Sequence, residues 1–133
     1  MKIIIILLGI TALVFILYLI TKKTTAKKKE PKYKSLSSET PFKVTKIVDG
    51  DTFKISPGWT WNNKKGKIIR PTGYDTPEKK ELGYQETKEK LKKLLLNNEV
   101  ELKNPIKMSY NRLLCDVYFD GKSLAEYFPE YKA

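Results

Sequence analysis

Four carboxylates fall in two short strings. Val48-Asp49-Gly50-Asp51-Thr52 sets two aspartates around a glycine, and Asp75-Thr76-Pro77-Glu78 sets two acids around a threonine and a proline. Carboxylates brought close together raise each other's pKa or recruit a cation. A hard, oxygen-ligated ion such as Ca²⁺ is the natural match. The spacing is not that of an EF-hand, because the twelfth position counted from Asp49 is Thr60, where that loop needs Glu. Taken singly, each acid reads first as a turn or cap residue, since Asp-Gly and Asp-Thr-Pro are ordinary turn sequences.

The basic residues add a second signal. Arg70 and Arg112 are the only arginines in a chain with 24 lysines. Lysine is the default surface cation here, so arginine is expected where a rigid fork must meet a phosphate or a carboxylate. Two structural salt bridges are the plainer reading. Arg70 lies five residues before Asp75, and Arg112 closes the string Tyr110-Asn111-Arg112.

Absences narrow the chemistry further. The chain has no histidine and one cysteine, Cys115. That excludes histidine-dependent triads, zinc-histidine sites, multi-cysteine zinc sites and an intramolecular disulfide. Catalysis would have to run on carboxylates, Lys, Arg, Tyr or an oxygen-bound metal. The formal net charge is +11. Residues 1–41 hold eight Lys against two Glu, and residues 42–133 hold 18 basic against 13 acidic residues. The second excess suits a polyanionic partner, and a solvated lysine-rich surface explains it equally well.

These residues must be positioned by a folding unit near 90 residues, room for one compact domain. Phe42, Val44 and Ile47-Val48 suggest a first strand, Asp49-Gly50-Asp51 a turn, and Thr52 to Ile55 a second strand. Pro57-Gly58 through Lys65-Gly66 reads as a long connection carrying Trp59 and Trp61. Lys67 to Tyr74 is expected as a third strand, with an edge or bulge at Pro71. Glu86 to Asn97 has the apolar spacing of a helix through Leu91, Leu94 and Leu95. Val100–Leu102 and Leu113–Phe119 follow as strands, then a short helix from Ser123 to about Phe128. Three strands, a helix, two strands and a short helix predict a mainly β, α+β unit: a five-stranded OB-type barrel over residues 42–133.

Ile3 to Ile20 is an uncharged, mostly apolar run, at the lower end of the length for a bilayer span. A signal peptide has a shorter apolar core and an uncharged cleavage region. Here Lys22 and Lys23 stand between the run and Thr24 and Ala26, so an uncleaved single-pass anchor over residues 1–21 is expected. The following lysines, through Lys34, place the domain on the cytoplasmic side by the positive-inside rule. Residues 22–41 lack apolar periodicity and read as a lysine-rich tether.

The combination Val-Asp-Gly-Asp-Thr, then Arg five residues before Asp-Thr-Pro-Glu, then Tyr-x-Arg, then Tyr118-x-Asp120-Gly121-Lys122, closely resembles the staphylococcal nuclease (thermonuclease) family over about residues 42–133. The resemblance implies an OB-type barrel that hydrolyses phosphodiester bonds in DNA and RNA with Ca²⁺, as a monomer. It implies that Asp51, Asp75 and the Thr76 carbonyl bind metal, that Glu78 is the general base, and that Arg70 and Arg112 clamp phosphate. Tyr110 matches a nucleotide-contacting tyrosine, and Asp49 an acid beside the metal set. Family members are often secreted, which points to the opposite side of the membrane from the lysine flank.

The chain departs from the family at Pro71, where an aliphatic residue is usual, at Met108, where an aspartate is common, and at Asn111, which replaces a glycine. The connection after Ile55 is longer, and the chain stops at Ala133, without the family's last helix and the aromatic residues before it. Weaker nucleotide binding or a changed substrate preference would follow, with Trp59 or Trp61 as substitute stacking surfaces or as plain packing. The alternative function is a nucleic-acid- or protein-binding module with the same barrel and little or no activity.

Overall fold

The computed structural model describes residues 2–23 and 29–133. It divides into two compact units, residues 1–30 and Pro31–Ala133. Residues 24–28, which include Thr24, Ala26 and the flanking Lys27 and Lys28, lie outside the described residues.

In the first unit, α1 spans Lys2–Lys23. Its residues Lys2–Thr21 have a mean hydropathy of 3.2 and none of that stretch is buried. Twenty helical residues rise about 30 Å, the thickness of a bilayer's hydrocarbon core. Large apolar side chains are exposed all along the helix, from Ile3 to Ile20. A helix apolar on all faces is suited to lipid rather than to one protein surface. It is therefore long and apolar enough to cross a membrane.

The second unit begins with β1 (Tyr33–Ser35), followed by β2 (Phe42–Asp49), β3 (Thr52–Trp61), β4 (Lys64–Pro71), α2 (Tyr84–Leu95), β5 (Glu99–Ser109), β6 (Arg112–Phe119) and β7 (Lys122–Ser123). Two short 3₁₀ turns, Leu124–Tyr127 and Pro129–Tyr131, complete it. The sheet runs β1-β3-β2-β5-β6-β4, and β4 pairs back onto β3. Strands β2 to β6 thus close into a five-stranded barrel of OB type, with α2 between its third and fourth strands and one parallel contact, β4 with β6.

Alternation explains the closure. Val44, Phe53, Ile55, Ile69, Leu113 and Val117 face the interior and are buried, while their chain neighbours face out. Leu91 and Leu95 of α2 close one end of the core with Leu124 and Phe128 from the 3₁₀ segment. The helix is keyed to β2 at its exit, where Asn97 N–H donates to the Val44 carbonyl and Val44 N–H to that of Asn98, both at 2.9 Å.

Three expected boundaries change. The stretch from Pro57 to Gly66 is a strand pair rather than a connection, turning at Asn62-Asn63. Both asparagines have positive φ, 48° and 60°, the pattern of a tight hairpin turn. Pro57-Gly58 interrupts only the register, where β3 exchanges β2 for β1 on one edge and keeps β4 on the other. Gly58 is needed there: a Cβ would overlap the Tyr33 ring and the Gly66 carbonyl. Trp59 is fully buried and its Nε1 donates to the Ile68 carbonyl at 3.2 Å, so it is core and no stacking surface.

Residues 22–41 do not all behave as a tether. Tyr33–Ser35 pairs in parallel with Gly58–Thr60, and Gly58 N–H donates to the Lys32 carbonyl. The compact unit therefore starts at Pro31, not Phe42. Strand β5 also runs on past Leu102 through a register break between Lys103 and Lys107. The expected strand over Val100–Leu102 is thus the first part of a longer one, Glu99–Ser109.

Cys115 points inward on β6 and is fully buried. Burial, aided by the charge of Asp116, pushes its thiol up to about 12. Iodoacetamide at pH 8 should leave Cys115 unmodified in the folded protein and alkylate it rapidly in denaturant, as read by intact mass. Rapid alkylation without denaturant would contradict this inward register of β6.

Candidate metal and phosphate site

The Asp49–Thr52 corner joins β2 to β3. Asp51 N–H donates to Asp49 Oδ1 at 3.2 Å, closing a local turn around Gly50. Gly50 is buried, and a Cβ there would stand 2.7 Å from both Thr76 Oγ1 and Thr87 Oγ1. The corner is thus pressed between the loop after β4 and the first turns of α2. Tyr74 ties the same corner from below: its hydroxyl donates to the Gly50 carbonyl at 3.1 Å.

This packing buries Asp51, which is 4% exposed. Its carboxylate accepts from Thr52 Oγ1 at 3.3 Å and from the Thr76 N–H at 3.3 Å. Arg70 supplies the counter-charge: Nη1 lies 3.0 Å from Asp51 Oδ2, and Nη2 donates to Asp75 Oδ1 at 2.9 Å. One guanidinium therefore gathers two carboxylates 24 positions apart in the chain. Burial raises the Asp51 pKa, the neighbouring Asp49 carboxylate adds to the rise, and Arg70 opposes it without cancelling it. Arg70 itself is held above its ordinary value, its two carboxylate partners outweighing the cost of burial.

Arg112 joins the site through the sheet. In the parallel pairing of β4 with β6, Ile68 faces Arg112 and Arg70 faces Leu114. Paired residues share a face, and so do alternate residues of one strand, so Arg70 and Arg112 lie on the same outer face of the barrel. Tyr110-Asn111, with φ of 52° and 60°, forms the tight turn before Arg112. Asn tolerates that conformation better than most residues, which suits Asn111 to this turn. Tyr110 is 87% exposed, and the Arg112 guanidinium carbon lies 5.8 Å from its ring centroid. Arg112 Nε is buried without a hydrogen-bond partner.

Glu78 stands apart. It is exposed, and its N–H donates to Glu81 Oε1 at 3.1 Å. Among the described residues no hydrogen bond or ion pair joins its carboxylate to Asp51, Arg70 or Asp75. The described residues also contain no group of three or more acid or thiol side chains that could hold a metal. The donors that do converge are two carboxylates, with Asp49 beside them and the backbone of Thr76 against them. The two carboxylates are oxygen donors of the kind a hard cation such as Ca²⁺ takes, and the Thr76 group against them is its N–H, which donates to Asp51.

Tyr74 and Phe128 were not singled out by sequence reasoning, yet they hold the site. Their rings stack at 4.6 Å and 7°, and Asp75 N–H donates to the Tyr131 carbonyl at 2.9 Å. The only local hint is Tyr74 next to Asp75. The partner comes from the far end of the chain, and spacing gives no sign of it. Neither a scan against protein-family models nor a search of the curated proteins finds a match for this chain.

Two variants test this geometry by denaturant unfolding. Gly50→Ala forces a methyl against two threonines and should cost about 1–3 kcal/mol. Arg70→Ala leaves Asp51 buried and uncompensated, a loss of up to about 3 kcal/mol at neutral pH. Removing Arg70 raises the Asp51 pKa further, so the charged form disfavours folding above that pKa and acid relieves the cost. The gap between Arg70→Ala and wild type should narrow toward about pH 4, where carboxylates take up protons. A gap that widens with acid would contradict the assignment.

Proposed function

We propose that this chain is a Ca²⁺-dependent phosphodiester hydrolase of the staphylococcal nuclease type, acting on DNA or RNA and tethered to a membrane by α1. The observation that carries the reading is the convergence of Asp51 and Asp75 on Arg70, with Arg112 on the same face of the adjoining strand.

Asp51, Asp75 and the Thr76 carbonyl would hold the ion, which supplies positive charge to the phosphoryl oxygens of the scissile group. Arg70 can take part without leaving its carboxylates. A guanidinium has five N–H donors, and two suffice for the bonds to Asp51 and Asp75. The remainder can donate to phosphoryl oxygens as their charge grows in the transition state. Arg112, on the same face of the adjoining strand, would donate from its guanidinium for the same purpose.

Glu78 acts as the base, accepting the proton of the attacking water on its carboxylate. Its loop must bring it to the phosphate when substrate binds, and catalytic hydrogen bonds are often incomplete before then. Tyr110, exposed on its hairpin tip, offers a ring to the nucleotide. A second reading, a binding module without catalysis, draws on one observation: Glu78 is not linked to the Asp51–Arg70–Asp75 set.

The test is cleavage of single-stranded DNA and RNA by the full chain in detergent micelles. Ca²⁺ should support cleavage and EDTA abolish it. Glu78→Gln should lower the rate, and Arg112→Ala should lower it by about 10²–10³-fold, on the scale of one lost oxyanion donor. Metal-independent cleavage would overturn the Ca²⁺ dependence, and no cleavage above the Glu78→Gln background would sink the enzyme reading.

A further inference from the structure

We propose that the outer wall of the barrel carries a track for the backbone of a single-stranded nucleic acid, running from Arg112 across Lys54 to Lys46. This rests on the nucleic-acid reading above and names where the strand continues beyond the phosphate clamp.

The track is a consequence of register. Arg112 on β6 pairs with Ile68 on β4, Ile68 pairs with Lys54 on β3, and Lys54 pairs with Lys46 on β2. Directly paired residues share a face of the sheet. The neighbours Ile47, Phe53, Ile55, Ile69 and Leu113 are buried in the barrel, so this rung faces outward. Three strand spacings separate its ends, about 14 Å. It is a continuous row of three cations and one half-buried aliphatic side chain, crossing four strands at right angles to their run.

Its charge is unbalanced. Like charges directly opposite on neighbouring strands destabilise a sheet, and Lys46 faces Lys54 in that way. Among the described residues neither lysine takes part in an ion pair. Elsewhere on the same outer face Lys43 and Lys107 also lack an ion pair among the described residues, while other charges are matched. Lys103 lies 3.5 Å from Glu101, and Asp116 is held by Thr72 Oγ1 and by Asn104 Nδ2 at 2.8 Å. What sets this sector apart is that two cations, Lys46 and Lys54, stand directly opposite one another on the rung that starts at Arg112. A polyphosphate strand fits this pattern: its regular negative charges would separate the two ammonium groups, and Ile68 offers an apolar contact to a sugar or base between them. Lysine suits such a role, since a mobile point charge follows a flexible backbone without fixing its sequence.

The experiment uses the full chain in zwitterionic nanodiscs, with EDTA present so that binding is read apart from cleavage. Anisotropy of a labelled oligothymidylate of about twelve nucleotides is followed over a salt series. Lys46→Ala/Lys54→Ala should weaken binding and flatten the slope of log K against log salt by about 1.4, the value for two lost phosphate contacts on a single strand. Lys92→Ala/Lys93→Ala, which removes the same charge from the exposed side of α2, should leave the slope near wild type. Equal slopes for the two double variants, or no binding by wild type, overturn the track.

Lysine acetylation by a water-soluble succinimidyl ester separates nucleic acid from lipid. Protection of Lys46 and Lys54 by the oligonucleotide is expected. Protection by anionic nanodiscs alone, with none from the oligonucleotide, overturns the proposal in favour of headgroup binding. Cleavage is scored separately. A chain that loses slope as expected but never cleaves keeps the track and loses the nuclease reading. A chain that cleaves while both double variants behave alike loses only the track.

Discussion

The buried carboxylate of Asp51 sets the terms for the site. A charge taken out of water must be matched by an opposite charge or lose its ionisation. Arg70 supplies the match from the neighbouring strand, and the match is incomplete, because burial and Asp49 still raise the Asp51 pKa. A guanidinium that already holds Asp51 reaches Asp75 with its other nitrogen at little further cost. The second contact is the weaker one, since the Asp75 side chain is 62% exposed and water screens it. The site is therefore anchored at its buried end and open at its outer end, where a ligand would arrive. Residual positive demand at Asp51 and an accessible partner at Asp75 are the conditions under which a hard cation would bind.

Holding Asp51 in that place takes three separate parts of the chain. Gly50 must lack a side chain because Thr76 and Thr87 press on it from the loop and from α2. Tyr74 bonds the Gly50 carbonyl, and Phe128 stacks on Tyr74. The last residues then bracket the loop: Asp75 N–H reaches the Tyr131 carbonyl, and Ala133 N–H reaches that of Gly73. Burial of the Tyr74 hydroxyl pushes its pKa up, so it remains a neutral donor and cannot add a negative charge beside Asp51. The polar site is thus fixed by an aromatic stack and a backbone bridge, rather than by further charges that would compete with its ligands.

Much of this was legible in the residues, for identifiable reasons. Alternation in Phe42–Val48 and Leu113–Phe119, and the 3.6-residue spacing of Leu91 and Leu95, are local signals of burial, and the barrel order follows from them. What failed were judgements that rest on single residues. Pro57-Gly58 was expected to open a connection, yet a strand can change partners at just such a point without ending. The expected strand Val100–Leu102 likewise stops short of a register break, between Lys103 and Lys107, past which β5 continues. Tyr33–Ser35 shows no alternation because an edge strand of three residues has too little length to show any. At the site, the Asp51–Arg70–Asp75 convergence followed the sequence pattern, since both aspartates flank turns at strand ends. The isolation of Glu78 was not legible. Its local spacing to Asp75 says nothing of how the loop after Pro77 turns away.

The contrast between the two arginines and the lysines around them follows from what each contact demands. Arg70 meets two carboxylates with two nitrogens of one planar group, which a lysine ammonium cannot do with the same geometry. Arg112 is partly buried beside Tyr110, with its guanidinium carbon 5.8 Å from that ring's centroid, and its Nε is buried without a partner. Lys46 and Lys54 carry no such constraint: their ammonium groups reach water, and their repulsion is softened by mobility and salt. A strand bound across this wall would therefore be gripped at one end by fixed donors and guided at the other by mobile charge. Geometry would select the phosphate at the clamp, and the lysines would raise affinity along the flanking strand without reading its sequence.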